Sequence, residues 1–264
     1  MFVVKVGGSE GIDYDSFLAD LVQHEGYLVV HGGSHELNDV ATKLGKPPVF
    51  ITSVSGFTSR YTDRDTLDIF NMVYAGKMNK MLVEKLQQLG ENAIGLSGID
   101  GRLMEGKRKR ALKIVENGKK KILRGDLSGI IERINTELLR FLLDNSYVPV
   151  LTPPAISYES DAINVDGDRC AACIAVAMEA ETLIILSNVP GLLRDPEDEA
   201  SVILKLSFDD IDGHIDQYAK GRMKKKLLAA KEALEGGVKR VILGDARGEA
   251  PVSASFQEEG TIIE

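Results

Sequence analysis

Two short apolar runs, each breaking into a glycine pair, constrain this chain more than any other feature: residues 2–9 read FVVKVGGS and residues 28–34 read LVVHGGS. An apolar run of that length without polar alternation suits a strand buried on both faces, as in a parallel sheet covered by helices. A Gly pair at the strand's carboxyl end lets the backbone bring bare N–H groups against a phosphate or carboxylate. Lys5 and Gly7 share one face of the first strand, so the lysine charge is aimed toward the mouth of the turn. Two anion sockets and a cation point to phosphoryl transfer, although a Gly pair can also do no more than close a strand-to-helix turn.

The rhythm continues. Further strands are expected in NAIGLSG (92–98), YVPVLTP (147–153), TLIILSNVPGL (182–192) and VKRVILGDA (238–246), with a hairpin near residues 156–163. Between them fall helical stretches near residues 14–24, 35–44, 63–89, 131–145, 169–180 and 223–235. Such alternation predicts an α/β fold with a mostly parallel sheet, helices on both faces, and ligands along the rim of strand carboxyl ends. A length of 264 residues allows one large domain or two lobes on a continuous sheet. The expected division is 1–178 and 179–264.

The net charge of −8 argues against general nucleic-acid affinity. Its distribution is uneven: residues 102–124 hold ten Lys or Arg against Glu105 and Glu116, so this segment is +8 and the rest −16. Within it, ALKIVENGKKKILRG places two β-type runs around Asn117-Gly118, a strong hairpin signal. A projecting cationic β-hairpin is expected. No apolar window is long enough to span a bilayer and the first 20 residues do not resemble a signal peptide, so the expected location is cytoplasmic. Cys170 and Cys173 form a lone CxxC in Ala-rich helical sequence; no further zinc ligands are evident, and both read as small core residues.

Several side chains fit the chemistry. In INVDGDRC (163–170), Asn164, Asp166 and Asp168 alternate; Asp168 suits either a helix N-cap or a carboxylate that orients lysines. GRMKKK (221–226) puts Lys224, Lys225 and Lys226 in the first turn of a helix, where the macrodipole is already positive, so an anion is needed there. Arg60 lies before a helix with a fork suited to a carboxylate, with Arg64 as its rival. His31 is either an acid–base group or a local shaper of its loop. Phosphoryl transfer onto a carboxylate accounts for the set economically. A carboxylate with an ordinary pKa of about 4 is already ionised, so no general base is required, only charge neutralisation and alignment.

In order along nearly the whole chain, VKVGG (4–8), VHGGS (30–34), the loop from Gly56 to Arg60, INVDGD (163–168), LSNVPGLL (186–193), GRMKKK (221–226) and GTII (260–263) resemble the amino acid kinase family. Within it the chain is similar to the acetylglutamate kinases. The resemblance implies a three-layer α/β/α sandwich, an N-terminal lobe for the amino acid and a C-terminal lobe for ATP with Mg²⁺. It implies that Lys5 and Lys226 stabilise the transferring phosphoryl group and that Asp168 organises them. Gly32, Gly33, Ser34, Arg60 and Asn164 fall on acceptor-binding positions. Gly7, Gly8, Ser187, Asn188, Gly191, Leu192, Arg222, Met223 and Lys224 fall beside the nucleotide.

Ser34 stands where acetylglutamate kinases have a third glycine, and Asn188 where they often have Asp. These departures look like the branch acting on α-aminoadipate or glutamate joined through its amino group to the acidic carrier protein LysW, in lysine and in some members arginine biosynthesis. Lys107, Arg108, Lys109, Arg110, Lys119, Lys120 and Lys121 would then dock the carrier. An acetylglutamate kinase acting on the free amino acid is the alternative; a nucleotide-dependent RNA-binding regulator is a distant one, since aromatic residues do not interleave the hairpin's charge. The chain starts directly with its first strand, so a homodimer without arginine feedback is expected.

Overall fold

The computed structural model describes residues 1–116 and 118–264. Eight strands form the central sheet in the order Lys205–Leu206, Thr261–Ile263, Arg240–Asp245, Thr182–Ser187, Phe2–Val6, Tyr27–His31, Val148–Thr152 and Ala93–Ser97. All neighbours pair in parallel except Thr261–Ile263, which runs against Arg240–Asp245. The two strands that open the chain, Phe2–Val6 and Tyr27–His31, are buried at every position, as their unbroken apolar character requires.

Side-chain alternation divides the core into two layers. Val3, Leu28, Val30, Leu151, Leu183 and Ile185 pack under helices Gly167–Ala177 and Gly221–Glu235. Val4, Val6, Val29, Val150 and Ile184 face helices Tyr14–Leu21 and Asn79–Gln88 on the other side. This is the three-layer α/β/α sandwich. Small residues explain the close pairing of the first two helices, whose contact stripe includes Ala171, Ala172, Ala175, Ala229, Ala230 and Ala233, all at most 1% exposed. Cys170 is buried in that stripe and Cys173 partly so. The strands of residues 182–263 all lie on one side of Phe2–Val6, and the other N-terminal strands on the opposite side. The strand order therefore changes direction at Phe2–Val6, and a crevice forms above the carboxyl ends there.

Two expectations need correction. Residues 131–145 do not form one helix: Gly129–Ile134 is a strand paired with Met104–Arg108, and the helix is Thr136–Asp144. The Ile-rich segment GIIERI favours an extended chain, and Asn135 starts the helix by accepting the Leu138 N–H at 3.1 Å. The cationic hairpin is real, with Leu112–Glu116 paired to Lys119–Leu123, but it does not project alone. Leu112–Glu116 also pairs with Phe50–Ser53, itself in a hairpin with Thr58–Arg60, giving a four-stranded sheet beside the crevice. Asn117, half of the expected turn, lies outside the described residues; Gly118 has the positive φ of 73° that such a turn needs.

The long helix expected over residues 63–89 is continuous but not uniform. Arg64–Asn71 passes through a π-helical segment, Met72–Met78, into Asn79–Gln88. The wider turn brings Tyr74 and Met78 against Gly33, where an added Cβ would stand 3.1 Å from Met78 Cγ and 3.2 Å from the Tyr74 ring.

Candidate active site

At the centre of the crevice one carboxylate sits between two ammonium groups. Lys5, on the first strand, has its Nζ 2.7 Å from Asp168 Oδ1, and Lys226, in the Gly221–Glu235 helix, has its Nζ 3.2 Å from Asp168 Oδ2. All three are buried, at 6%, 8% and 7% exposure for Lys5, Asp168 and Lys226. Burial alone would raise the Asp168 carboxyl, but the Lys226 and Lys5 ammoniums outweigh it and hold the group well below the usual carboxylate range. Burial, with the like charge of Lys5 added, pushes Lys226 below the ordinary lysine value despite Asp168. The triad carries one net positive charge in a largely buried site, an unfavourable state that an incoming phosphoryl group would relieve.

Asp168 is free for this task because it is not the helix cap. Asp166 takes that role, accepting from the N–H groups of Asp168 at 3.0 Å and Arg169 at 3.3 Å. The three consecutive lysines also separate. Lys224 lies over the Phe57 ring at 5.4 Å, Lys225 approaches Asp166 at 3.7 Å, and Lys226 alone reaches Asp168. A spacing signal marks Lys226: with Ala229, Ala230 and Ala233 it forms the i, i+3, i+4, i+7 stripe that faces inward.

The two glycine turns form one unit. A Cβ on Gly8 would stand 2.1 Å from Gly33 N and 2.6 Å from Ser34 N, so the first turn packs directly on the second. Gly8 O accepts the His35 N–H at 2.7 Å and the Ser34 hydroxyl at 3.1 Å, and thereby caps the helix Ser34–Lys43. Ser34 therefore joins the two turns as well as lining the cleft. The amides of Gly8 and Ser34 have no protein acceptor among the described residues, which suits an anion at this helix N-terminus. His31 serves structure. It is fully buried, its Nδ1 lies 2.9 Å from Gly32 O, its Nε2 lies 3.1 Å from Asn79 Nδ2, and burial pushes its pKa down to about 4.

The cleft above these turns measures about 780 Å³ and is lined by Gly32, Gly33, Ser34, Arg60 and Asn164 together with Lys5, Asp168 and Lys226. Arg60 donates through Nη2 to Asn38 Oδ1 at 2.5 Å and lies 5.2 Å over the Phe50 ring, while its buried Nη1 has no partner. Its rival Arg64 is engaged on the surface with Asp68. Asn164 donates to Thr62 Oγ1 at 2.9 Å, which fixes its side chain beside the cleft. Tyr74, without any sequence signal of its own, also lines the cleft; burial raises its phenol to about 12.

On the other side lie Gly7, Gly8, Ser187, Asn188, Gly191, Leu192, Arg222 and Met223, all lining the same cleft. Arg222 Nη1 donates to Ser9 Oγ at 3.0 Å and Asn188 Nδ2 to Glu10 O at 3.4 Å, tying the first glycine loop to this wall. The GTII motif gains a reason here. Thr261 Oγ1 accepts the Leu192 N–H at 2.8 Å, and a Cβ on Gly191 would approach that oxygen to 2.5 Å. Lys224 is not at the cleft wall but braces the Phe57 loop.

The basic residues assigned to carrier docking have unlike surroundings. Lys109 lines the cleft, and partial desolvation there lowers its pKa. Lys107 pairs with Glu132 at 2.8 Å and Lys121 with Glu116, while Arg108 donates to Asp126 O at 3.4 Å. Arg110, Lys119 and Lys120 are exposed and have no ion-pair partner among the described residues.

A crevice with paired lysines on one carboxylate, anion-binding glycine turns and a guanidinium with a buried free nitrogen defines a phosphotransferase with an anionic acceptor. The chain belongs to the amino acid kinase family, whose sequence pattern matches residues 1–245. It is 59% identical to the LysW-aminoadipate kinase of Deinococcus radiodurans, across all of this chain and 91% of that protein. Identity to the LysW-aminoadipate kinase of Thermus thermophilus is 54%, covering all of both chains. A putative LysW-aminoadipate/LysW-glutamate kinase of Nitrosopumilus maritimus is 41% identical over all of this chain and 99% of its own. Among solved structures, N-acetylglutamate synthase of Neisseria gonorrhoeae superposes with a TM-score of 0.79 at 23% identity over 99% of this chain and 58% of that one. Carbamate kinase of Giardia lamblia does so with 0.68 at 13% over 99% and 97%. These two likenesses concern the fold.

Proposed function

We propose that this chain transfers the γ-phosphoryl group of ATP to the side-chain carboxylate of α-aminoadipate, or of glutamate, carried through its amino group on a LysW-type protein. The observation that carries the reading is 59% and 54% identity, over the whole chain, to two LysW-aminoadipate kinases. The site geometry supports the chemistry. An ionised acceptor oxygen attacks the γ-phosphorus, the bond to the β–γ bridging oxygen breaks, and ADP leaves with the electron pair; the product is an acyl phosphate. Lys5 and Lys226, fixed by Asp168, neutralise the transferring group, and the amides of the two glycine turns orient the oxygens.

Among the described residues no group of three His, Cys, Asp or Glu side chains could hold a metal ion. Asp168 already bonds both lysines and Asp166 caps its helix, so this donor set fits Mg²⁺ carried on the nucleotide phosphates and not held in a protein cage. Mg²⁺ bound in that way would lower the charge of the phosphates. Arg60 and Asn164 bind the α-substituents of the acceptor, and Arg110, Lys119 and Lys120 attract the acidic carrier. A homodimer in the cytoplasm belongs to the same reading. Among the described residues no helix is long and apolar enough to cross a membrane.

The test is ADP release with aminoadipyl-carrier, glutamyl-carrier and free acetylglutamate. Turnover with a loaded carrier and none with free acetylglutamate is the expected result; turnover with free acetylglutamate alone would overturn the reading.

A further inference from the structure

Arg60 is the cleft's only described guanidinium with a buried, unpartnered nitrogen, and what holds it in place is chemically unusual. Its Nη2 is bound at 2.5 Å by the side-chain oxygen of Asn38, a neutral amide on the Ser34–Lys43 helix. Arginines aimed by their surroundings are commonly held by carboxylates, which fix the fork but also cancel its charge. Here the charged or ionisable groups that bear on Arg60 are the Tyr74 phenol, neutral near pH 7, and Arg222, which repels it. Phe50 lies beneath the guanidinium at 5.2 Å, an attraction that likewise leaves the net charge intact. Burial lowers the Arg60 pKa, the direction expected of a cation without a counter-ion.

We propose that Asn38 is a positioning residue that aims Arg60 through a neutral acceptor, so that the guanidinium's full charge is kept for a carboxylate of the incoming acceptor. Asn38 does not line the cleft and is connected to it through Arg60. The inference rests on the reading that Arg60 binds the acceptor. It also gives a role to the helix that begins at the second glycine turn: its first residue, Ser34, ties the turns together, and Asn38, one turn further on, aims the arginine.

Shape and charge make opposite demands at position 38. Aspartate is nearly isosteric with asparagine and keeps the hydrogen bond, whereas alanine loses it. If Asn38 only filled space or shaped the helix, Asn38→Asp would be milder than Asn38→Ala. If it preserves the charge of Arg60, Asn38→Asp is the more damaging, because a permanent carboxylate would occupy the guanidinium before the acceptor arrives.

The experiment measures kcat and KM for loaded carrier and for ATP in Asn38→Asp, Asn38→Ala and Arg60→Met at neutral pH. Asn38→Asp is expected to raise the acceptor KM about 30-fold and Asn38→Ala about 5-fold, with kcat and the ATP KM within about 3-fold of the parent. An Asn38→Asp effect equal to or smaller than that of Asn38→Ala would overturn the proposal, as would an equal loss of ATP binding, which would mark a structural role. Arg60→Met separates the two levels. If it raises the acceptor KM while Asn38→Asp stays mild, only the Asn38 inference falls; if Arg60→Met leaves that KM unchanged, the assignment of Arg60 falls with it.

Discussion

Replacing Asp168 with asparagine removes the one carboxylate between two buried ammoniums while keeping its shape. At 2.7 Å to Lys5 and 3.2 Å to Lys226, each attraction is worth about 5–6 kcal/mol at an effective dielectric of about 20. The full sum is not lost, because one lysine can shed its proton. Neutralising a lysine of ordinary pKa at pH 7 costs about 4–5 kcal/mol, and Lys226 starts below the ordinary value, so its escape is cheaper. The expected destabilisation is therefore about 3–5 kcal/mol, or roughly 10 °C in Tm for a chain of this size. Loss of one ammonium's charge at the phosphoryl group should lower kcat by about 10²–10³. The decisive assay adds Asp168→Asn/Lys226→Met: removing the second ammonium should restore most of the stability but none of the activity. If the double variant is instead destabilised by the sum of the single effects, the lysines do not compete for Asp168 and the electrostatic account is wrong.

Gly8→Ala would drive a methyl group to 2.1 Å from Gly33 N; it should cost about 1–3 kcal/mol and reduce kcat about 100-fold, whereas Gly213→Ala, which meets nothing within 4 Å, should leave kcat unchanged. Steady-state kinetics and thermal unfolding of the two variants check this. His31 has its pKa lowered to about 4 by burial, so the unfolded chain takes the proton first; its contribution of up to about 3 kcal/mol is complete above about pH 6.5 and is lost as pH falls toward 4. Urea titrations at pH 7 and 4.5 should show a smaller acid loss for His31→Gln, and parallel losses would refute the assignment. Lys119→Glu with Lys120→Glu should raise the KM for loaded carrier about 10-fold at low salt and spare the ATP KM; equal values at low salt would remove the docking role.

The strands and the first lysine were legible because local sequence determines them. Five unbroken apolar residues before a Gly pair have few alternatives, and Lys5 is placed by simple alternation. The two DGD carboxylates were not separable: Asp166 and Asp168 are both competent caps, and only the position of the following amides decides that Asp166 accepts them. The strand Gly129–Ile134 reads in part as helix because its isoleucines also fit a helical face, and its partner Met104–Arg108 lies about 25 residues earlier. The packing of Gly8 on Gly33 and the bond that Arg60 donates to Asn38 join residues more than 20 positions apart. Each glycine or asparagine alone looks ordinary. The phenol of Tyr74 reaches the cleft through a π-helical turn that no apolar period announces.

Charge distribution ties these parts together. The cleft is lined by eight Lys or Arg and three Asp or Glu, a surplus of five positive charges in a chain whose net charge is −8. Both proposed reactants are anions that repel each other, so bringing their oxygens into line requires a surplus of this sign. The surplus is also stratified. Lys5 and Lys226 are buried, where salt screens weakly; Lys119 and Lys120 are exposed, where a Debye length of about 8–10 Å at physiological ionic strength blunts them. Raising ionic strength should therefore lower kcat/KM for the loaded carrier while leaving kcat nearly constant, because encounter depends on the exposed charges and transfer on the buried ones. A kcat that falls in parallel with kcat/KM would mean that the lysines on Asp168 see bulk solvent, which their burial contradicts.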